Sequence, residues 1–273
     1  YWKLDEQQGG TANNSGIDEA LDGTATGTTW RLDNSTSGGC KINGCINIDT
    51  GTDDVTRTDP SFFDSLTGMT ASFWLNPQTL ATTNAIVSKS NTSQETFLIQ
   101  TDATNNDEIR VYIADTLTDT ANYYTTNNAD LTAAATYANW QHIAVVYDAT
   151  AGATDRVKVY KNGRLLGGSV TGTIPSDSLT ASTANFQVGE SHKATSGLLT
   201  YIDEVKIYNF ALSPSEVLID ANAGSNAALG GVLGTHDNEG FGGNPPIGWW
   251  KLDENTGTSV FDSSENETTV TIA

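Results

Sequence analysis

Short runs in which apolar and polar residues alternate, bounded by turn residues, recur along this 273-residue chain. Residues 71–75, 109–113 and 157–160 are examples. Because successive side chains of a strand point to opposite faces, such runs predict half-buried β-strands. The run 143–147 is apolar throughout, which predicts a central strand covered on both faces. Asn162-Gly163, a pair that tolerates positive φ, predicts a hairpin turn after residue 160. These patterns together favour an all-β fold.

One segment, residues 213–224, has the pattern of a helix. Ser213 suits the N-cap, Pro214 suits the first helical position, and Glu216 completes a capping box with Ser213. Gly224 is typical of the residue that ends a helix. We therefore predict one short helix, placed after the last strand of the sandwich.

The beginning of the chain recurs near its end. Residues 250–254 repeat residues 2–6 identically, as Trp-Lys-Leu-Asp-Glu. The intervening residues 225–248 are rich in Gly, Asn and Ala and contain Pro245-Pro246, a composition typical of a linker. We predict a module over 1–224, a linker over 225–248, and in 249–273 the first strand and loop of a second repeat or a donated strand arm.

Charge and hydropathy exclude two classes of partner. The sequence has 33 acidic against 13 basic residues and a formal net charge of -20, which repels nucleic acid and anionic lipid surfaces. No stretch reaches the roughly 18 apolar residues of a membrane helix, and no charged and apolar leader precedes the first strand. We expect a secreted or cell-surface protein that is soluble, with its export signal removed or upstream.

The sequence contains two cysteines, Cys40 and Cys45, separated by four residues. A zinc site needs additional Cys or well-placed His ligands, and His142, His192 and His236 are isolated from one another in the sequence. We therefore predict a small structural disulfide, formed in an oxidising compartment.

Several motifs resemble the laminin G-like and pentraxin branch of the concanavalin A-like lectin/glucanase superfamily. They occur in the family's order over residues 1 to about 224. These motifs are the opening strand 1–6, residues 40–49 with Asp53-Asp54-Val55, residues 69–77, residues 140–147, the hairpin 159–163, and residues 202–213 with the helix. The resemblance implies a jelly-roll sandwich of two curved antiparallel sheets that serves as a binding or adhesion module.

Some relatives of this fold are glycosidases of the laminarinase kind, which resemble one another in a Glu-x-Asp-x-x-Glu strand. This strand places two carboxylates on one face at the separation that retaining hydrolysis needs. No glutamate in this sequence has an aspartate two residues later. A Gly-x-Ser-x-Gly elbow and a His-Glu-x-x-His motif are also absent from the sequence. We therefore expect a protein that is not an enzyme.

Calcium is the cofactor for which the sequence offers ligands. Strict alternation would place Asp203 on the same face as Tyr201, Val205 and Ile207, and a buried carboxylate needs a partner. That partner is Ca²⁺, backbone N–H groups or a basic side chain. Relatives often hold calcium at the rim of the sandwich through loop oxygens. The candidate loop ligands are Asn14, Asp22, Asp49 and Asp53.

The tryptophans in strand contexts are expected in the core, whereas tyrosines in or near loops are candidates for stacking on a sugar. The candidate ligand-binding residues are Tyr123, Tyr124 and Tyr137.

Two functions remain open from the sequence. The first is a ligand-binding or adhesive module whose partner is a surface polysaccharide or glycoprotein. The second is a structural subunit of an extracellular fibre, which binds further copies of itself head-to-tail through the C-terminal arm.

Overall fold

The computed structural model describes residues 1–16, 21–32, 39–48, 50, 53–80, 83–91, 93–101, 107–117, 122–127, 131–133, 139–189, 200–223, 259–260 and 270–271. The chain divides into two compact units, Tyr1–Ser225 and Asn226–Ala273. The predicted linker 225–248 lies outside the described residues, so the predicted domain boundaries stay predictions.

Sixteen strands are described in the first unit. In chain order they are β1 (Thr11–Ala12), β2 (Gly23–Thr26), β3 (Thr29–Leu32), β4 (Gly44–Ile48), β5 (Asp54–Arg57), β6 (Gly68–Pro77), β7 (Ala85–Ser90), β8 (Glu95–Thr101), β9 (Ile109–Ile113), β10 (Tyr123–Thr126), β11 (Gln141–Asp148), β12 (Val157–Lys161), β13 (Arg164–Leu165), β14 (Gly168–Thr171), β15 (Phe186–Val188) and β16 (Thr200–Tyr208). A 3₁₀ turn, Ser61–Phe63, follows β5.

These strands form two antiparallel sheets. The order in the nine-stranded sheet is β1-β2-β5-β15-β7-β8-β9-β10-β14, and in the seven-stranded sheet it is β13-β12-β11-β6-β16-β4-β3. Many neighbours are distant in sequence, as expected for a jelly roll. The predicted all-β sandwich of two antiparallel sheets with one short helix is confirmed.

The main core lies between the two sheets, and alternation along each strand selects the residues that enter it. On β6, Met69, Ala71 and Phe73 are fully buried in this core. They face residues such as Val111 and Tyr124 from the nine-stranded sheet. Burial of these apolar side chains stabilises the sandwich by roughly 25 cal/mol per Å².

The helix α1 (Pro214–Ala223) begins as the sequence predicts. The Glu216 carboxylate accepts hydrogen bonds of 2.7 Å from both the backbone N–H and the hydroxyl of Ser213, which forms the predicted capping box. Val217 packs on Ala144 and Val146 of β11, on the face of the seven-stranded sheet that points away from the main core. β11 is therefore covered on both faces, as predicted.

Asn162 and Gly163 have φ values of 51° and 78° and connect β12 to β13, which confirms the predicted hairpin.

The first strand differs from its prediction. In the described structure Trp2 makes only isolated bridges to Val205 and Asn14, and no continuous ladder forms along residues 1–6. Leu4 has a φ of 63°, which is incompatible with extended backbone and interrupts the strand. Trp2 and Leu4 are nevertheless buried in the core.

In the second unit, two described strands, β17 (Ser259–Val260) and β18 (Val270–Thr271), pair antiparallel. No helix in the described residues is long and apolar enough to cross a membrane.

Candidate functional site

The outer face of the nine-stranded sheet carries one row of directly opposed residues, one from each strand. These are Thr11, Thr24, Thr56, Gln187, Ser88, Leu98, Tyr112, Tyr123 and Thr171. The centre of the row, Ser88 and Leu98, is fully buried. The side chains accessible to a ligand therefore lie towards the ends of the row, and the two tyrosines lie at the end formed by β9, β10 and β14.

Tyr112, Tyr123 and Arg110 form a cluster at that end. The two tyrosine rings are 5.2 Å apart between centroids, and the Arg110 guanidinium carbon lies 4.3 Å from the centre of the Tyr123 ring. Arg110 Nη1–H donates to the Tyr112 hydroxyl at 3.3 Å, and Arg110 Nε–H donates to Thr125 Oγ1 at 3.3 Å. All four side chains are half-buried. The guanidinium thus holds two aromatic faces in a fixed geometry next to solvent.

One buried acceptor lies beside this cluster. Gln100 is directly opposite Arg110 on β8, is 4 % exposed, and its Oε1 has no hydrogen-bond partner within the described part of the chain. An unsatisfied buried acceptor costs roughly 1–3 kcal/mol, and this one lies beneath the surface of the cluster, out of contact with solvent.

The structure separates the three tyrosines that the sequence proposed as ligand-binding residues. Tyr123 faces outward in the cluster. Tyr124 was predicted wrongly, because it points into the main core, is 6 % exposed and donates its hydroxyl to the Leu166 carbonyl at 3.3 Å. Tyr137 lies outside the described residues. Adjacent residues on a strand point to opposite faces of the sheet, so Tyr123 and Tyr124 cannot both contact a ligand on the same face.

Sequence reasoning did not select Arg110 or Tyr112. The signal was present, because Ile109, Val111 and Ile113 alternate with these two residues and mark them as the outward positions of β9.

Asp203 is fully buried on the face of the seven-stranded sheet that points away from the main core. Its Oδ2 accepts the Ile42 backbone N–H at 2.8 Å. Burial raises the pKa of Asp203 to about 9, and the nearby Glu204 charge adds to the rise against the opposing backbone hydrogen bonds. The other carboxylate oxygen, Asp203 Oδ1, is buried and has no hydrogen-bond partner among the described residues, so the role of Asp203 as a calcium ligand stays a prediction.

The predicted face assignment of Asp203 is correct for Tyr201 but wrong for Val205 and Ile207. A β-bulge lies between Asp203 and Lys206, and Glu204 has a φ of 55°. The bulge inserts one residue and reverses the alternation. Val205 and Ile207 therefore pack on the main core, whereas Asp203 stays on the opposite face.

The other candidate calcium ligands are occupied by local hydrogen bonds or lie outside the described residues. Asp22 Oδ1 accepts the Asn14 backbone N–H at 2.7 Å, and Asn14 Oδ1 accepts the Gly16 N–H at 3.0 Å. Asp53 accepts the backbone N–H and the hydroxyl of Thr50. Asp49 is not described. No group of three or more His, Cys, Asp or Glu side chains able to hold a metal occurs among the described residues.

The predicted disulfide between Cys40 and Cys45 is confirmed. The loop that it closes lies over Asp203 and Trp74. Lys41 Nζ is 4.0 Å from the centre of the Trp74 ring, and the Ile42 N–H bonds to Asp203 as described. The disulfide therefore constrains the loop that shields Asp203 and Trp74 from solvent.

Comparison with known proteins agrees with this architecture. A family model from the concanavalin A-like lectin/glucanases superfamily, for laminin G-like domains, matches residues 49–218. No curated protein sequence matches the chain.

Solved structures share the fold at low sequence identity. Domain 4 of an extracellular arabinanase from Geobacillus stearothermophilus, in complex with arabinotriose, has a TM-score of 0.50 and 23 % identity, covering 72 % of this chain and 88 % of that one. Trypanosoma rangeli sialidase with the inhibitor DANA has a TM-score of 0.54 and 12 % identity, covering 80 % of this chain and 31 % of the sialidase.

Proposed function

This chain belongs to the laminin G-like family of the concanavalin A-like lectin/glucanases superfamily, and on that premise we propose that it is a non-catalytic module that binds a carbohydrate or another surface polymer. The proposed site is the Arg110–Tyr112–Tyr123 cluster. It is a ligand-binding surface on a fold whose relatives include a domain solved with arabinotriose.

The observation that carries this proposal is the geometry of the two tyrosines. Their rings are partly exposed, tilted against each other and braced by Arg110, so they offer apolar faces of fixed orientation to a sugar ring. The half-buried Thr125 places a hydroxyl beside those faces for the sugar hydroxyl groups.

The location that we propose is extracellular or at the cell surface. The Cys40–Cys45 disulfide supports it, because disulfides persist in oxidising compartments. The absence of the Glu-x-Asp-x-x-Glu motif from the sequence supports a role without catalysis.

We expect Tyr123→Ala to weaken binding to the recognised polymer about tenfold, because one stacking face is lost. A glycan array identifies the polymer, and calorimetry measures the affinity of wild type and variant. Tyr124→Phe is the matched control, because that neighbouring tyrosine faces the core and should bind as wild type does. Equal affinity for Tyr123→Ala and wild type would remove this cluster from the site.

Calcium stays a proposal. A structural ion would involve Asp203 together with Asn14, Asp22, Asp49 or Asp53 as oxygen ligands, and the buried Asp203 Oδ1, which has no hydrogen-bond partner among the described residues, supports this.

The alternative function is a fibre subunit, and one observation favours it. Trp2 and Leu4 are the buried residues of the first strand, and the same residue types recur as Trp250 and Leu252. A copy of this strand from a neighbouring chain would satisfy the same position in the sandwich by strand addition.

Deletion of residues 249–273 tests the fibre alternative. If the arm is a donated strand, light scattering at high protein concentration should show assembly of the full chain and loss of assembly after deletion. The variant Trp250→Ala/Leu252→Ala should lose assembly as well, which controls for the length of the chain. A deleted chain that assembles like the full chain would contradict strand donation.

A further inference from the structure

A cleft of about 580 Å³ is lined by residues of both sheets. In the nine-stranded sheet its strands, β5 and β15, lie in the half away from β9, β10 and β14. Its walls come from β5, β15 and β16, together with Tyr1 and Trp2 and the 3₁₀ turn that contains Phe62. Small-molecule sites generally occupy roughly 300–1,000 Å³. The cleft therefore has the volume of a ligand site.

Six of the described residues that line this cleft are aromatic. Trp2 and Phe186 pack at 5.3 Å between ring centroids at its base. Phe62 and Phe210 also line it and remain 37 % and 49 % exposed. Large apolar side chains that stay exposed around a concavity are typical of a binding surface for a flat apolar molecule.

The cleft contains one cationic side chain. Among the lining residues that the structure describes, Arg57 is the charged side chain, and none is an aspartate or a glutamate. Arg57, at the end of β5, is directly opposite Phe186 and lines the cleft. Its side chain is half-buried, and its Nε is buried without a hydrogen-bond partner among the described residues. The half-buried guanidinium lines the cleft, and a carboxylate is the ligand group that matches the geometry of guanidinium N–H donors.

We propose that this cleft is a second ligand site and that it binds small aromatic carboxylates, with the ring between Trp2, Phe62 and Phe210 and the carboxylate on Arg57. The site is independent of the polymer site, because it shares no residue with the Arg110–Tyr112–Tyr123 cluster.

The probes are 2-naphthoate and its neutral counterpart 2-naphthalenemethanol, titrated against the full chain. Calorimetry gives the affinity, and the NMR shift of the Trp2 indole N–H locates the ligand. We expect naphthoate to bind about tenfold or more tightly than the neutral alcohol and to shift the Trp2 signal. Arg57→Gln should abolish this preference, lowering naphthoate affinity about tenfold and leaving the affinity of the alcohol unchanged.

Arg164→Gln is the matched control, because Arg164 is an exposed arginine of β13 outside the cleft. It should bind both probes as wild type does. Tyr123→Ala should also leave naphthoate binding unchanged, which separates this proposal from the polymer site. Equal affinity of wild type for the two probes would overturn the proposal even if Arg57→Gln fails to fold. Absence of saturable naphthoate binding below about 5 mM would overturn it as well.

Discussion

Replacement of Asp220 by alanine is expected to lower the free energy of unfolding by about 3–5 kcal/mol and the melting temperature by roughly 10 °C. Asp220 lies on α1 and is 7 % exposed. Its carboxylate accepts a hydrogen bond of 2.8 Å from Lys206 Nζ and one of 3.1 Å from the Tyr208 hydroxyl, and it lies 3.2 Å from His142 Nε2. One side chain therefore ties the helix to two strands, and its loss leaves a largely buried ammonium without its counter-ion.

The pH dependence of this effect follows from the pKa of Asp220. Burial by itself raises that pKa, but the hydrogen bond with His142 and the Lys206 charge outweigh burial and hold it well below its usual range. The folded state therefore binds a proton less readily than the unfolded state does. The stability from Asp220 is complete above about pH 4 and is lost as the pH falls towards the folded-state pKa.

Chemical denaturation of wild type and Asp220→Ala at several pH values measures this difference. The difference between their free energies of unfolding should be largest at pH 7 and should decrease below about pH 4. Asp155→Ala is the control, because Asp155 is an exposed aspartate and its replacement should change stability by no more than about 0.5 kcal/mol. A gap below about 1 kcal/mol at pH 7 would mean that apolar packing around Val217 is sufficient to hold α1.

Replacement of Asp203 by asparagine is expected to stabilise the protein at high pH. The pKa of Asp203 rises from its usual 3.8 to about 9 on folding, mainly because of burial. Between these values the folded state holds a proton that the unfolded state has released. Wild type therefore loses stability as the pH rises through this window, at a rate approaching about 1.4 kcal/mol per pH unit. Asparagine has a similar shape and does not titrate, so it avoids the loss.

The measurement compares the melting temperatures of wild type and Asp203→Asn from about pH 3 to about pH 9. The two should be similar below the usual pKa of 3.8, and the variant should become progressively more stable as the pH rises above it. The Asp155→Asn variant should follow wild type throughout. Parallel curves for wild type and Asp203→Asn would show that Asp203 is ionised in the folded protein, and the description of its surroundings would then be wrong.

The same two proteins test the calcium proposal. Mass action requires the melting temperature to rise with free calcium if the ion binds the folded state. A rise in wild type that persists in Asp203→Asn would place the ion at the rim, with Asn14 and Asp22 as ligands to be replaced next. A rise lost in the variant would support Asp203 as a ligand. Identical melting in chelator and in millimolar calcium would exclude a structural role for the ion.

The sequence by itself determined the features of this protein that depend only on residues close together in the chain. Alternation identified the strands, the Asn162-Gly163 pair fixed its hairpin, and Ser213 with Glu216 fixed the start of the helix. These features depend on residues within a few positions of each other. The close spacing of the two cysteines gave the disulfide in the same way.

The tertiary structure alone decided which side of a strand faces a ligand and which carboxylate is charged. Tyr123 and Tyr124 are equivalent in the sequence, and only the sheet on the other side of the core makes one outward and the other buried. The bulge at Glu204 reversed an alternation that the sequence predicts as regular. A one-residue insertion costs little locally but exchanges the two faces of every residue after it, so no local pattern reveals it.

Burial by residues that are distant in the sequence explains the properties of Asp203, Lys89 and Arg57 that the sequence did not predict. The pKa of Asp203 depends on the disulfide loop that covers it, about 160 residues away in the sequence, because desolvation is set by neighbours in space. Lys89 is fully buried for the same kind of reason, since its ammonium donates to the carbonyl groups of Ser182 and Ala184 on a distant segment. Arg57 became a candidate ligand-binding residue only when folding placed it opposite Phe186, beside the other aromatic residues of the cleft.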